Sequence, residues 1–431
     1  MSLVTSAILV ALIVIQGGFF SNSYLFFGML LSLLLLIRGK MRASKPVFFS
    51  FGGILALYIL SGAVRGFSFL QYLPAFQVLC CFVFYILISS FNEKERDHLN
   101  GGLAIAGIVV AILGLLSYTA NLPIPAAVDN ARLQSTLQYA NAAAILFVLA
   151  LFSIKDENGR FNVFRPVIML ALLLTLSFGG ILAYCLASIL YVFRRKRGER
   201  MKELYSEIAG FSIATVFAAG IYYFRNIQSS ILIPVLLFAA LCCLCPVWKR
   251  MVEYIVAHIA SRVLSILLLG MEVGGILALR GAEAMGTLAN RLLLISYGIN
   301  ALAANPVLGI GPGAWANQRG LYEEVYDRAT IIHSSYVQIA VDAGIFALIG
   351  SVVIAIVFIK KQKRCPWRLS AVSGLLFHGI LDLPFSFTGI VLGGIVVSAD
   401  EERDGFVLPA WAVRIVAGGA LAAFFIIDIL F

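Results

Sequence analysis

The sequence predicts an all-α protein: a polytopic bundle of about 12–15 transmembrane helices with one long extracytoplasmic loop that contains an amphipathic helix. Three observations carry that expectation: the apolar content, the block lengths in which it is arranged, and the placement of the basic residues. Of 431 residues, 61% are apolar and 13% charged, against roughly half and a quarter in soluble domains. The apolar residues come in blocks of about 16–25, the length that crosses roughly 30 Å of hydrocarbon at 1.5 Å per residue. A soluble enzyme with a single anchor is thereby excluded, and few polar side chains remain for chemistry.

In chain order the blocks run 3–20, 22–37, 46–63, 69–91, 99–119, 139–154, 163–177, 180–193, 203–223, 230–247, 252–279, 334–359, 368–383, 386–398 and 407–430. The first leads directly into the second, so it reads as a span and not as a cleavable leader. An N-terminus in the cytoplasm puts 23 Lys and Arg residues inside, the largest group being the six in 194–202. Only Arg65, Arg132, Arg225, Arg280, Arg291, Arg319 and Arg328 fall outside. This bias orients a multi-pass protein of the cytoplasmic (inner) membrane. The net charge of +10 is therefore a topology signal and gives no reason to expect a nucleic-acid partner. The seven cysteines sit mostly within apolar blocks, and Cys242, Cys243 and Cys245 have no His or carboxylate at ligand spacing. They read as packing residues, and no metal site is expected.

Two outward segments stand apart, 120–138 and the 54-residue stretch 280–333. Loops of the second length without a role are uncommon, so 280–333 is the expected catalytic loop. Within it, Leu288, Leu292, Ile295, Ile299 and Leu302 recur at helical spacing, which predicts an amphipathic helix over 282–304 lying against the bundle. Asn305-Pro306 ends it, because the residue before proline is driven from the α region. There is no soluble domain, no low-complexity tract and no clear repeat, so residues 1–431 are expected to form a single integral membrane domain.

His333 is the one outward histidine, at the entry to the block that follows. Its ordinary pKa near 6.5 suits a general base, although a polar residue beside a helix start is the plainer reading. Arg291, set among apolar residues, has the paired donors that bind phosphate; a lone arginine also snorkels to lipid headgroups. The Gly309-Ile310-Gly311-Pro312-Gly313 stretch lacks the lysine of a phosphate loop and reads as a tight turn. Glu323, Glu324 and Asp327 look like a solvated helix face. His378 and Asp382, four residues apart near the outer end of their block, would share a helix face as a His-carboxylate pair, for structural or catalytic support alike. Glu272, Arg262 and Asp342 are weaker intramembrane candidates.

NPVLGIGPGAW followed by HSSYVQIAVDAG resembles the signature of the O-antigen ligase and polymerase superfamily. In that signature a Pro-x-x-Gly-x-Gly turn precedes His-Asn/Ser, with a glycine ten residues beyond the second member, here Gly344. NRLLLISYGINAL resembles the arginine-bearing helix of the family and places Arg291 on its arginine. ARLQSTLQYANAAA and HGILD resemble two further blocks, so the resemblance covers about residues 120–400. It implies a membrane-embedded, GT-C-like inverting glycosyltransferase that needs no metal or other cofactor, because the donor already has an activated anomeric diphosphate. The donor would be an undecaprenyl-diphosphate-linked glycan and the acceptor a hydroxyl on a glycan, lipid or protein, lipid A-core among them, with membrane lipid around both and the active site on the extracytoplasmic face. His333 would be the catalytic base and Arg291 the diphosphate partner, with Asp382 and His378 in the substrate-binding surroundings. One departure is the Ser177-Phe178-Gly179-Gly180 run, where the family often has Ser-Arg-Gly. Arg132, and behind it Arg225, are the outward arginines that could supply the missing substrate-binding cation. A polymerase of lipid-linked repeat units shares every one of these features. A flippase or other transporter of polyprenyl-linked glycans would also be polytopic and basic, but favours paired midplane charges and repeated halves. A non-catalytic assembly partner would not need His333.

Overall fold

The computed structural model of the chain describes residues 1–39, 41–65, 72–155, 159–322, 329–399 and 405–430, with backbone only at 272, 273, 275–280, 282 and 284. Glu323, Glu324, Asp327 and Arg328 lie outside the described residues, as do the side chains of Glu272 and Arg280. The helices run in order α1 (Ser2–Val14), α2 (Ser21–Arg38), α3 (Lys45–Val64), α4 (Leu73–Ser89), α5 (Glu93–Ala120), α6 (Ala140–Ser153), α7 (Arg165–Leu174), α8 (Phe178–Arg194), α9 (Arg200–Tyr222), α10 (Leu232–Leu244), α11 (Trp248–Ala257), α12 (Ile259–Ala304), α13 (Trp315–Gln318), α14 (Ser335–Ala343), α15 (Ile345–Lys361), α16 (Pro366–His378), α17 (Thr388–Ser398) and α18 (Ala410–Leu430). Among the described residues, seven helical segments are long and apolar enough to cross a membrane, and seven shorter apolar helices accompany them. The protein is all-α and multi-pass, as its apolar blocks require. Among the described residues, strand is confined to two short antiparallel pairs, β1 (Met41–Ala43) with β4 (Phe406–Leu408) and β2 (Val128–Asp129) with β3 (Arg132–Leu133).

The chain divides into two compact units. The first comprises Met1–Gly102, Leu288–Arg364 and Leu376–Phe431; the second comprises Leu103–Thr287 and Cys365–Leu375. In the first, α2 packs between α4 and α18, and α3 packs on α15. Gly28 lets the Phe424 ring close on α2, for a Cβ there would lie 2.5 Å from it. The second is built around α6, every residue of which is buried. A helix apolar on all sides belongs at the centre of a bundle, and α7 and α8 pack against this one.

The expected break between a span ending at 279 and a separate helix over 282–304 is absent. Both belong to α12, 46 residues without interruption. At 1.5 Å per residue it is about 69 Å long, more than twice the hydrocarbon thickness. No proline occurs between Ile259 and Ala304, and the Leu, Ala, Met and Arg residues there favour helix strongly enough to carry it through six glycines. The helix ends at Ala304, immediately before the Asn305-Pro306 pair that the sequence marked as its end.

Candidate active site

Four of the residues singled out by sequence, Arg291, His333, His378 and Asp382, fall in the first unit, and the structure brings them together. Arg291 lies on the buried face of α12, and Leu294, Tyr297 and Ala301 further along that face pack with Ile310, Trp315, Ile332 and Val341. Gly298 permits the close approach of α14: a Cβ there would lie 2.7 Å from the Val337 side chain. This packing fixes the direction of Arg291. Its Nη1 donates to the Leu381 carbonyl at 2.6 Å and stands 3.0 Å from Asp382 Oδ2. The carboxylate is 2% exposed and the guanidinium 15%, so the pair is shielded from water on the carboxylate side and open on the other. Asp382 Oδ1 accepts the Leu383 N–H at 2.8 Å, which leaves the carboxylate little freedom.

The expected helical spacing of His378 and Asp382 is not what the chain adopts. Helix α16 ends at His378, and Asp382 follows in the turn before α17. The carboxylate faces Arg291 instead, and the histidine acts on it through space without a hydrogen bond. The His378 ring is 3% exposed, and neither of its nitrogens has a hydrogen-bond partner among the described residues.

His333 is half-buried and immediately precedes Ser334, whose hydroxyl caps α14 by accepting the Val337 N–H. Ser335, the next residue, donates its N–H to the carbonyls of Asp382 (2.9 Å) and Gly379 (3.0 Å) and its hydroxyl to the Asp382 carbonyl (3.1 Å). The start of α14 is thereby tied to the turn that holds Asp382, and His333 is near enough to act electrostatically on that carboxylate. On its other side, the N–H of Ile332 donates to Gln338 Oε1 at 2.8 Å. Gln338 Nε2 in turn donates to Asp342 Oδ1 at 2.8 Å, and the same oxygen accepts the Gly313 N–H at 3.2 Å.

The glycine stretch is a turn, as expected, and its purpose is contact. Gly309, Gly311 and Gly313 all have positive φ. Ile310 N–H donates to the Val341 carbonyl at 2.8 Å, and Ile345 N–H to the Pro306 carbonyl at 2.9 Å. A Cβ on Gly309 would lie 2.2 Å from Val341 O, and one on Gly344 1.9 Å from Val307 O. The two segments touch backbone to backbone, which only glycine allows. From α3, Ser61 donates to the Leu308 carbonyl at 2.5 Å; Arg65, just past its end, donates to the Gly309 carbonyl at 3.1 Å and to Asn305 Oδ1 at 2.6 Å.

Arg132 and Arg225 belong to the second unit. Arg132, in the β2–β3 hairpin, donates from Nε to the Thr175 carbonyl at 3.0 Å and from Nη2 to Asn141 Oδ1 at 2.9 Å. It thus stands at the α7–α8 turn, three residues from Phe178. Arg225 donates to the Tyr118 carbonyl at 3.0 Å and to the Asn121 side chain. Among the described residues, no three His, Cys, Asp or Glu side chains form a group able to hold a metal ion.

Comparison with known proteins bears directly on these elements. Residues 166–352 match the O-antigen ligase family. The match supports an O-antigen ligase/polymerase-related family for the chain and a function of that general kind. It takes in Arg291, the glycine turn, His333 and Gly344, while Arg132, His378 and Asp382 fall outside it. No curated protein matches the chain. Within the span matched to the O-antigen ligase family, sequence reasoning passed over Gln338, although its i, i+4 spacing to Asp342 was a visible signal. Ser61 and Arg65 gave no such signal, because their partners lie more than 240 residues away.

Proposed function

We propose that this protein transfers a glycan from an undecaprenyl-diphosphate-linked donor to an acceptor hydroxyl on the outer face of the cytoplasmic membrane, with inversion and without a metal ion. The observation that carries the reading is the knot at Asp382: one residue grips Arg291 through its carboxylate and Ser335, two past His333, through its carbonyl. A phosphate-binding cation and a basic ring are thereby held on one frame. In the proposed step the acceptor oxygen attacks the anomeric carbon from the face opposite the diphosphate. The new C–O bond forms as the bond to the diphosphate oxygen breaks, and the electron pair leaves with the diphosphate. His333 takes the proton of the attacking hydroxyl. Arg291 meets the charge that builds on the leaving group, where scarce water makes each donor count for more. Asp382 acts through Arg291 as a positioning residue. Arg132, held beside Thr175, is proposed as the cation that stands in for the arginine absent at Phe178.

The test is His333→Ala, followed by analysis of surface glycan and its lipid-linked precursors. Loss of transfer by about 10²–10⁴-fold is expected. Unchanged surface glycan would overturn the assignment of the base. Long chains accumulating on the carrier identify a ligase, single units a polymerase, and units held on the inner leaflet a flippase.

A further inference from the structure

The second unit contains a groove that the proposed chemistry does not use. It is a cavity of about 360 Å³ between α8 and α9, lined also by Leu269 of α12. Phe178, Ile181, Cys185 and Ile189 line it from α8 and Leu204 from α9. The α8 residues follow one another at three- and four-residue intervals and so form one stripe along the helix. From Phe178 to Val192, the lining covers about 21 Å of helix, room for an extended acyl chain. The polar groups in its wall are turned into a private cluster: Glu207 accepts from Arg165 at 2.6 and 2.7 Å, from Tyr184 at 2.7 Å, and from Lys155. What remains for an occupant is hydrocarbon.

The end of the groove beyond Val192 and Leu204 is different. Helices α8 and α9 are joined by the segment 194–202, which has six Lys or Arg residues against one Glu. Arg195 is paired with Glu199 at 3.0 Å. Lys196, Arg197 and Lys202 are exposed and have no ion pair or side-chain hydrogen bond among the described residues. An apolar slot ending at unpaired cations has the chemistry of an amphiphile with an anionic head, and the charge bias of the whole chain puts this end in the cytoplasmic leaflet.

We propose that this groove binds an anionic glycerophospholipid of the cytoplasmic leaflet, with an acyl chain along α8 and the headgroup phosphate on the 194–202 hairpin. The charge bias of the chain assigns the headgroup to the cytoplasmic leaflet, whereas the donor's diphosphate is proposed on the outer face. The charge complement sets the selectivity. Each Lys or Arg near an anionic membrane surface is worth several-fold in affinity, so three together favour phosphatidylglycerol over phosphatidylcholine by at least about tenfold.

The experiment uses the purified full-length protein in neutral detergent and measures binding by native mass spectrometry and thermal shift. Phosphatidylglycerol, phosphatidylcholine of the same chains and undecaprenyl phosphate are compared. The expected result is the phosphatidylglycerol preference in the wild type and its loss in the Lys196→Gln/Arg197→Gln/Lys202→Gln variant, whose melting temperature without lipid is unchanged. Ile189→Trp, which fills the slot, should weaken both phospholipids alike. Equal binding of the two phospholipids by the wild type overturns the proposal, and so does a preference that survives the triple substitution. Undecaprenyl phosphate displacing phosphatidylglycerol and binding more tightly also overturns it, and assigns the groove to the carrier.

Discussion

Gly344→Ala is the most direct probe of the backbone contact that sets the active-site frame. Gly344 has φ 86° and ψ 177°, a region that is essentially closed to side chains and costs about 1–3 kcal/mol to occupy with one. The added Cβ would lie 1.9 Å from the Val307 oxygen and 2.4 Å from its carbonyl carbon. Backbone lies on both sides of that contact, so relief requires the 306–310 turn and the α14–α15 junction to part by about an ångström. Two hydrogen bonds bridge them, Ile345 N–H to Pro306 O and Ile310 N–H to Val341 O, each worth about 1 kcal/mol. The sum is about 3–5 kcal/mol, which on the scale for domains of 150–250 residues lowers the melting temperature by roughly 10 °C. The assay is thermal unfolding of the purified protein in detergent, with transfer activity measured at a temperature where the variant is still folded. Activity should fall further than the folded fraction, because Asp342, Gln338 and Ile332 relay the position of the turn to His333. A melting temperature within about 2 °C of wild type, with full activity, would refute the argument from close approach.

Three further outcomes follow from the same geometry. Arg291→Lys keeps the charge but loses the planar fork, so it should lower the transfer rate by about 10²-fold in a kinetic assay with lipid-linked donor, with little change in melting temperature. Arg132→Lys should reduce transfer by about tenfold if its paired donors bind the substrate; full activity would return it to a purely structural role at the α7–α8 turn. In the buried cluster, Glu207 faces two cations, Lys155 and Arg165. Glu207→Gln leaves both uncompensated and should cost about 3 kcal/mol or more, whereas Lys155→Met leaves one balanced pair and should be neutral or stabilising in thermal unfolding. Burial draws the Lys155 ammonium from 10.5 down to about 8, against the pull of Glu207. Between those values the unfolded chain binds the additional proton, so this residue's share of stability rises with pH across that window; in Lys155→Met that slope should be absent.

The apolar blocks made the helical bundle legible, because span length and composition alone decide what can cross hydrocarbon. The glycine turn was legible too, as a turn, from Gly and Pro spacing. Its partner was not, since a missing Cβ says only that something comes close. The continuity of α12 was hidden by Arg280 and Gly281, a charged residue and a glycine directly after an apolar block, which read locally as the end of a span. Helix propensity over the whole segment outweighs that local signal. His378 and Asp382 were recognisable as a pair of interest, but their four-residue spacing suggested one helix, and α16 stops at the first of them. The partner of Asp382 is Arg291, 91 positions earlier, and no local pattern reports such a pairing. Arg132 could be named from the side of the membrane assigned to it, while its place beside Thr175 needed the fold.

The unbroken course of α12 gives Arg291 a fixed phase. Arg291 and Ala304, the last residue of α12, are thirteen residues apart on one helix, so Arg291 and the start of the glycine turn are set about 20 Å apart along a stiff ruler. One residue inserted between them would swing Arg291 by about 100° around the axis, away from Leu381 and Asp382. Length variation among relatives of this protein is accordingly not expected between Arg291 and Ala304. A chain built this way can therefore vary elsewhere while the register that pairs Arg291 with Asp382 stays fixed.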